Sequence, residues 1–306
     1  MGWVKQYKES LKTIEAEEII DLLIYRPIAF FLVKITYSIN ITPNQVSTTA
    51  MLVGVTGGVM FGLGEPQYLS IGAILYFSCN IFDCADGQIA RLKQNGTKVG
   101  RAIDGFIDYV VSIAVFVGIG FGMVHSFNTH SLNLWGNTFL NLSPVLYIWI
   151  ITILAGLSSA AQAFCFDFYR NKYLEIVYGK FTPLEDQVKE FTEEKQRLED
   201  YPETAAFMDY TLVTLYLTYS RLQLKLQGDK EVDVKKPSPK VYYVQNKVLL
   251  RLWSFLGSTT HITLTIICAL TNNMELFLLL CILPLNFLFL LLYFVQRKVD
   301  SRLTYI

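Results

Sequence analysis

The chain has 306 residues, of which 52% are hydrophobic and 17% are charged. This composition is too apolar for an ordinary soluble domain and predicts an integral membrane protein. Lys and Arg together number 26, as do Asp and Glu, so the formal net charge is zero. The net charge therefore gives no argument for a nucleic-acid partner, and we predict none. The five cysteines lie in apolar segments without C-x-x-C spacing, which argues against disulfides and a zinc site.

The first 44 residues precede the first long apolar stretch. The opening 20 residues are charged and amphipathic, unlike a signal peptide. Residues 19–39 carry apolar residues at helical spacing, but Arg26, Pro27 and Lys34 interrupt them. This pattern predicts a helix that lies in the membrane interface rather than one that crosses the bilayer.

Six stretches approach the roughly 20 apolar residues that a helix needs to cross a bilayer core of about 30 Å. The six predicted spans are 45–64, 68–90, 101–124, 143–165, 249–271 and 274–296. The turns after spans one, three and five contain no Lys or Arg, whereas residues 91–101 and the long polar segments are rich in both. Because cytoplasmic loops are enriched in Lys and Arg, both termini and the 91–101 turn are predicted to be cytoplasmic.

The predicted fold is thus an all-α integral membrane protein with six transmembrane helices, an N-terminal interfacial helix and a cytoplasmic helical insertion. Its four segments are 1–44, 45–165 with the first four spans, the insertion 166–248, and 249–306 with the last two spans and the tail. Within the insertion, 181–201 and 203–228 have helical patterns on either side of Pro202. We expect a helical hairpin whose apolar side rests on the membrane domain or on lipid, followed by a loose linker at 228–240.

Four aspartates lie in or beside predicted spans two and three. They are Asp83, Asp86, Asp104 and Asp108. Because the first two are three residues apart and the last two are four apart, each pair shares one face of its helix. Asn95-Gly96 predicts a turn between the helices. An antiparallel helical hairpin would then bring the four carboxylates together.

So many charges in apolar surroundings need a partner. Each charged residue costs about 2.5–3.5 kcal/mol at the centre of a membrane helix, and crowded carboxylates also repel one another. Mg²⁺ or Mn²⁺ resolves both problems, and paired divalent ions are common in phosphoryl chemistry. Gly87, Ala90 and Gly100 would leave room for a ligand near the carboxylates, or else serve close helix packing. Arg91 can hold a phosphate or pair with an aspartate.

The charged motif resembles a known family signature. Asp83-x-x-Asp86-Gly87-x-x-Ala90-Arg91, followed after eight residues by Gly100-x-x-x-Asp104-x-x-x-Asp108, is similar, position for position, to the signature of the CDP-alcohol phosphotransferase family. Upstream, Thr42-Pro43-Asn44 resembles the family's Thr-Pro-Asn element. An ordinary helix start also explains Thr42 and Pro43, which leaves Asn44 as the functional candidate. The insertion at 171–247 departs from the compact members of the family.

The resemblance implies transfer of a substituted phosphate from a CDP-alcohol to another alcohol, with release of CMP. By this resemblance, Asp83, Asp86, Asp104 and Asp108 hold two divalent cations, Mg²⁺ or Mn²⁺, and Asp108 is also the general base. The implied CDP-binding residues are Asn44, Asp83, Gly87, Ala90, Arg91 and Gly100. The resemblance further implies a homodimer among membrane lipids. The active site would face the cytoplasm, from the inner membrane if the chain is bacterial.

Two arginines are candidates for binding the acceptor alcohol. Arg170 and Arg251 lie at the cytoplasmic ends of predicted spans four and five, where they could bind a phosphorylated acceptor or reach lipid headgroups. With the basic 91–101 turn, they favour CDP-diacylglycerol as donor and inositol phosphate or glycerol phosphate as acceptor. The reverse arrangement, transfer of a CDP-linked choline- or ethanolamine-type headgroup to a lipid alcohol, uses the same motif.

Two other classes of protein could carry the same charges. Intramembrane carboxylates also occur in cation transporters and proton relays. Such transporters often have broken helices and internal repeats, and the sequence gives no clear sign of either. An inactive scaffold that retains the motif is the third option. Since every signature position is intact, we expect a transferase of phospholipid biosynthesis.

Overall fold

The computed structural model describes residues 3–11, 13–37, 41–94, 98–130, 134–179, 184–200, 207–227 and 237–303. These residues are predominantly helical, and none of them lies in a strand. The all-α fold class is thereby confirmed.

The described residues form thirteen α-helices and three short irregular helical turns. The α-helices are α1 (Trp3–Ser10), α2 (Arg26–Thr36), α3 (Pro43–Gly62), α4 (Pro66–Lys93), α5 (Lys98–His130), α6 (Asn137–Leu140), α7 (Pro144–Tyr173), α8 (Leu184–Asp200), α9 (Phe207–Gln227), α10 (Pro239–Trp253), α11 (Ser258–Leu270), α12 (Met274–Ile282) and α13 (Pro284–Leu303). A π-helical turn at Asp21–Tyr25 precedes α2, another at Leu174–Tyr178 extends α7, and a 3₁₀ turn at Ser254–Leu256 follows α10.

Five helical stretches in the described part of the chain are long and apolar enough to cross a membrane. They are Pro66–Lys93, Asp104–Thr129, Pro144–Tyr178, Pro239–Leu270 and Met274–Arg302. These stretches match predicted spans two to six, and the chain is an integral membrane protein. Helix α3 occupies the place of the first predicted span, but it is rich in Gly, Ser and Thr and is not among the five. The predicted count of six is therefore not confirmed.

The last two spans differ in detail from the prediction. The fifth begins at Pro239, ten residues earlier than expected, because the proline fits the first turn of α10 despite the polar residues that follow. That span is interrupted by the 3₁₀ turn and Gly257 before α11 begins. The sixth is interrupted between α12 and Pro284. Most of the predicted linker, 228–236, lies outside the described residues.

Helix α3 packs along both α4 and α5. Its contact with α5 depends on glycines: a Cβ atom on Gly118 would collide with the carbonyl group of Gly58, and one on Gly122 would collide with the carbonyl of Phe61. Small residues allow membrane helices to approach at backbone distance. This approach holds the C-terminal half of α3 against α5.

Residues 13–36, here called the N-terminal strap, run from α4 to α11. The buried Tyr25 places its hydroxyl 3.1 Å from Thr263 Oγ1 in α11. On the other side, Gln88 Nε2 in α4 donates a hydrogen bond to the carbonyl of Arg26, at 3.0 Å. The strap therefore ties a motif helix to the C-terminal half of the bundle.

The strap has one packed and one exposed apolar face, as expected for an interfacial helix. Ala29 and Val33 of α2 pack against Cys84, Ala85 and Ile89 of α4. The exposed face carries Leu23, Ile28, Phe31 and Ile35. Placement of this face against lipid remains a prediction.

The insertion contains a helical hairpin, as predicted. Helices α8 and α9 pack on each other through Phe191, Val213 and Leu217. Helix α9 also contacts α5. The hairpin thus rests on the helix that carries the second aspartate pair, whereas its side of the membrane and the four-segment division of the chain remain predictions.

We predict that Gly118→Ala lowers the thermal stability of the detergent-solubilised protein, whereas Gly156→Ala does not. The new methyl group at position 118 meets the backbone of α3, and such overpacking costs about 1–3 kcal/mol. At position 156 the methyl group would lie 3.6 Å from the Phe116 ring, an ordinary contact. Both changes bring the same gain in helix propensity. Equal melting temperatures for the two variants would contradict the proposed close contact.

Candidate active site

The four aspartates lie on two helices, as the spacing predicts. Asp83 and Asp86 are in α4, and Asp104 and Asp108 are in α5. Asp86 is buried, Asp83 and Asp104 are half-buried, and Asp108 is exposed. Asp83, Asp86 and Asp104 are all close enough to Asp108 to interact with it electrostatically. The four residues, here called the acidic cluster, thus lie within electrostatic range of Asp108, their most exposed member.

Helix α3, which the predicted hairpin of α4 and α5 did not include, joins the two aspartate pairs. Among the described residues, α4 and α5 both pack along α3 and make few contacts with each other. Spacing along a helix fixes which side chains share a face, but it does not determine which helix that face meets. The Asn95-Gly96 turn lies outside the described residues. The aspartate pairs therefore meet across α3.

Ser47 of α3, which the sequence analysis missed, joins the two pairs. Its hydroxyl oxygen lies 2.5 Å from Asp86 Oδ2, 3.2 Å from Asp104 Oδ1 and 3.1 Å from the carbonyl oxygen of Pro43. A serine hydroxyl has one proton to donate, so it cannot satisfy all three acceptors at once. Its only sequence signal is its place one turn after the Thr42-Pro43-Asn44 element.

The residue types of the cluster fit a divalent cation. The principal charges acting on Asp108 are those of Asp83, Asp104, Asp86 and Asp167, all of the same sign. Like charges placed together repel one another, and hard carboxylate oxygens are the donors that Mg²⁺ and Mn²⁺ prefer. Within the described residues, however, no three His, Cys, Asp or Glu side chains stand close enough together to hold a metal ion. The carboxylate oxygens are thus suitable ligands for a divalent cation. In their placement, Asp86 and Asp104 converge on Ser47 without forming a complete metal site.

Gly87 and Arg91, predicted to bind the CDP group, lie against each other. A Cβ atom on Gly87 would be 3.3 Å from both terminal guanidinium nitrogens of Arg91. Arg91 Nε donates a hydrogen bond to the carbonyl of Ser10. Its Nη2 is buried and has no hydrogen-bond partner among the described residues. Since buried donors normally have acceptors, this nitrogen is suited to a phosphate oxygen. Ala90 is half-buried one residue earlier.

The predicted start of α3 is confirmed. Thr42 Oγ1 accepts a hydrogen bond from Gln45 N at 3.3 Å, Gln45 Oε1 accepts one from Thr42 N at 3.0 Å, and Pro43 occupies the first turn. This is a capping box. The Asn44 side chain and the surroundings of Gly100 lie outside the described residues, so their roles remain predictions.

The two candidate acceptor residues have different surroundings. Arg170 Nη2 lies 2.8 Å from Asp167 Oδ1, and the charge of Asp167 acts on Asp108. Arg251 instead donates to the backbone carbonyls of Ile14 at 2.6 Å and Glu17 at 3.1 Å. Arg170 is therefore linked to the aspartate cluster, while Arg251 holds the N-terminal strap. Acceptor binding remains a prediction for both.

A second acidic group, also missed from the sequence, lies in the strap. Glu17, Glu18 and Asp21 are buried. Glu17 pairs with Arg26 at 2.9 Å, Glu18 accepts from Thr259 N at 3.1 Å, and Asp21 accepts from Thr259 Oγ1 at 3.0 Å. Burial raises the pKa of Glu18 and of Asp21, and the charge of Asp21 raises the pKa of Glu18 further. Thr259 lies in the first turn of α11, where a carboxylate is favourable.

Together, the helices and the acidic cluster define an integral membrane protein with a polar site on α3, α4 and α5. Residues 40–173 match the family model of CDP-alcohol phosphatidyltransferase. The resemblance seen in the motif is thereby confirmed.

A relative is known for part of this chain. Over 106 residues the chain is 32% identical to the phosphatidylinositol phosphate synthase of Corynebacterium glutamicum. The match covers 35% of this chain and 46% of that protein, so it spans less than half of the relative's length.

We predict that Ser47→Ala weakens Mn²⁺ binding to the purified protein by about 10-fold to 100-fold, the usual loss when a group that orients metal ligands is removed. Electron paramagnetic resonance of free Mn²⁺ would measure this. The matched control is Ser78→Ala, because Ser78 donates only within α4, to the carbonyl of Ile74. Unchanged Mn²⁺ affinity in Ser47→Ala would show that Ser47 does not orient the carboxylates.

Proposed function

We propose that the protein transfers a substituted phosphate from a CDP-alcohol to an acceptor alcohol and releases CMP. The observation that carries this proposal is the convergence of Asp86 and Asp104 on Ser47, inside the family domain at 40–173. The family and the relative support a role in phospholipid synthesis. An inactive scaffold would not need to retain every carboxylate of the motif.

In the proposed reaction, Asp108 removes the proton from the acceptor hydroxyl. The oxygen then attacks the phosphorus of the substituted phosphate, the P–O bond to the CMP phosphate breaks, and CMP leaves. Asp108 is suited to the role of general base because it is the exposed member of the acidic cluster. Two divalent cations would neutralise the diphosphate and stabilise the leaving group. The residues that would hold them are Asp83, Asp86, Asp104 and Asp108. The remaining task of the protein is to position an in-line attack.

The nucleotide side of the proposed site lies along α4. Arg91 would direct its buried Nη2 to a phosphate oxygen of the donor. Gly87 leaves the space in which the guanidinium lies. Ala90, Gly100 and Asn44 complete the CDP-binding set implied by the family motif.

The substrates are proposed from the relative and from the arginines. The Corynebacterium protein is named for phosphatidylinositol phosphate synthesis. We therefore take CDP-diacylglycerol as the donor and inositol phosphate as the first acceptor to test, with glycerol phosphate second. Arg170 is the stronger candidate for the acceptor phosphate because Asp167 links it to the cluster, whereas Arg251 is engaged with the strap. We further propose a homodimer whose active site and termini face the cytoplasm.

Two alternatives share the same residues. A CDP-linked choline or ethanolamine headgroup could be transferred to a lipid alcohol by the same motif. A cation transporter is favoured by one observation, the interrupted spans at α10–α11 and α12–α13. None of the four aspartates lies in those spans, which argues for the transferase.

We predict that purified protein releases CMP from CDP-diacylglycerol when inositol phosphate and Mg²⁺ or Mn²⁺ are present, and that chelation by EDTA stops release. Asp108→Asn should lower turnover by about 10²-fold to 10⁴-fold, the usual contribution of a general base. The control Asp200→Asn makes the same chemical change on the exposed end of α8.

The outcomes separate the alternatives. Release of CMP only with CDP-choline or CDP-ethanolamine and a lipid alcohol would support the reverse arrangement. Cation flux into vesicles without CMP formation would support a transporter. Full turnover in Asp108→Asn would show that another group is the base.

A further inference from the structure

Three tyrosine hydroxyls converge on one carboxylate of the N-terminal strap. Glu15 Oε2 accepts hydrogen bonds from Tyr178 at 2.6 Å and Tyr173 at 3.1 Å, and Glu15 Oε1 accepts one from Tyr243 at 3.1 Å. Two of the tyrosines belong to the end of α7 and its π-helical turn, and the third belongs to α10. A single glutamate therefore joins the strap to two separate helices.

The backbone of the strap is fixed at the same place. Arg251 of α10 donates hydrogen bonds to the carbonyls of Ile14 and Glu17, on either side of Glu15. The hydrogen bond from Tyr178 lowers the pKa of Glu15 despite an opposing effect of burial, and Tyr173 and Tyr243 lower it further. The ionised carboxylate is thus the form that these hydroxyls hold.

Five residues before Glu15, the chain contacts Arg91 of the family motif. The carbonyl of Ser10, at the end of α1, accepts the hydrogen bond from Arg91 Nε. Ser10 is fully buried, and α1 packs against α4. The rings of Tyr7 and Phe30, 5.3 Å apart, also join α1 to α2. The position of α1 therefore determines the orientation of the Arg91 guanidinium.

We propose that Glu15 is a positioning residue that docks the N-terminal strap on α7 and α10 and thereby keeps Arg91 directed to the nucleotide phosphates. Nucleotide binding by Arg91 rests on the proposed function, whereas docking of the strap does not. Glu15 itself lies outside the residues assigned to the transfer reaction. Its loss should weaken donor binding more than it slows the chemical step.

The docking can be tested by chemical labelling. In a Ser10→Cys variant, the new thiol is shielded while α1 stays on α4, and the unmodified chain gives the background from the native cysteines. Adding Glu15→Ala should raise the rate of maleimide labelling by roughly tenfold, the factor expected when charged hydrogen bonds are lost. Glu15→Gln should lie between the two, because its amide keeps one acceptor oxygen. Glu9→Ala, the same change at an exposed residue of α1, should have no effect.

The positioning role is tested by kinetics and by binding. Glu15→Ala should raise the KM for CDP-diacylglycerol and the Kd for CDP by roughly tenfold, with kcat little changed. Glu15→Gln should recover part of the affinity, and Glu9→Ala should match the unmodified protein. A merely structural loss would lower kcat and the amount of folded protein together.

Each failure has its own meaning. Unchanged labelling in Glu15→Ala would overturn docking by this residue. Faster labelling with unchanged CDP affinity would overturn the positioning role. If the unmodified protein released no CMP from any donor, the proposed function would fail, while labelling and CDP binding would still decide the role of Glu15.

Discussion

The close contact between α3 and α5 is the constraint on which the site depends. Because Gly58 and Gly118 have no side chains, the two backbones can approach to a distance that any larger residue would prevent. Helix α3 then occupies the space between α4 and α5. Its first turns carry Ser47 to a place where one hydroxyl meets carboxylates from both helices. The acidic cluster is thus a product of helix packing as much as of the aspartates themselves.

Two groups of acidic residues lie near each other, and their surroundings differ. In the strap, the protein itself supplies a partner for each carboxylate: Arg26 for Glu17, the first turn of α11 for Glu18 and Asp21, and tyrosine hydroxyls for Glu15. Such groups are compatible with a folded interior, because buried charges are tolerated when they are paired and hydrogen-bonded.

The aspartates of the motif have a different electrostatic environment. The principal charges on Asp108 are other carboxylates, and Ser47 can donate to only one acceptor at a time. Placing like charges together costs free energy, which a divalent cation would lower. This difference agrees with the proposed division, in which the strap serves the structure and the motif serves the chemistry.

The sequence predicted the features that depend on local spacing. Helical periodicity placed Asp83 with Asp86 and Asp104 with Asp108, and Thr42 and Pro43 marked the start of α3. It could not predict which helix lies between the pairs, because that depends on the glycine contact between distant segments. Ser47 is a common residue type whose meaning comes only from its neighbours. Glu18 was missed because its partner Thr259 lies far away in the chain.

Two residues that support the site lie outside the matched domain. Residues 40–173 contain the aspartates, Ser47 and Arg91. The carbonyl that holds Arg91 comes from Ser10, before the domain, and the guanidinium that fixes the strap comes from Arg251, after it. A hydrogen bond to a backbone carbonyl does not require a particular side chain at Ser10, so the sequence there can vary while the contact persists. The proposed chemistry thus lies in the matched domain, whereas Arg91 is held by a part of the chain that the motif does not include.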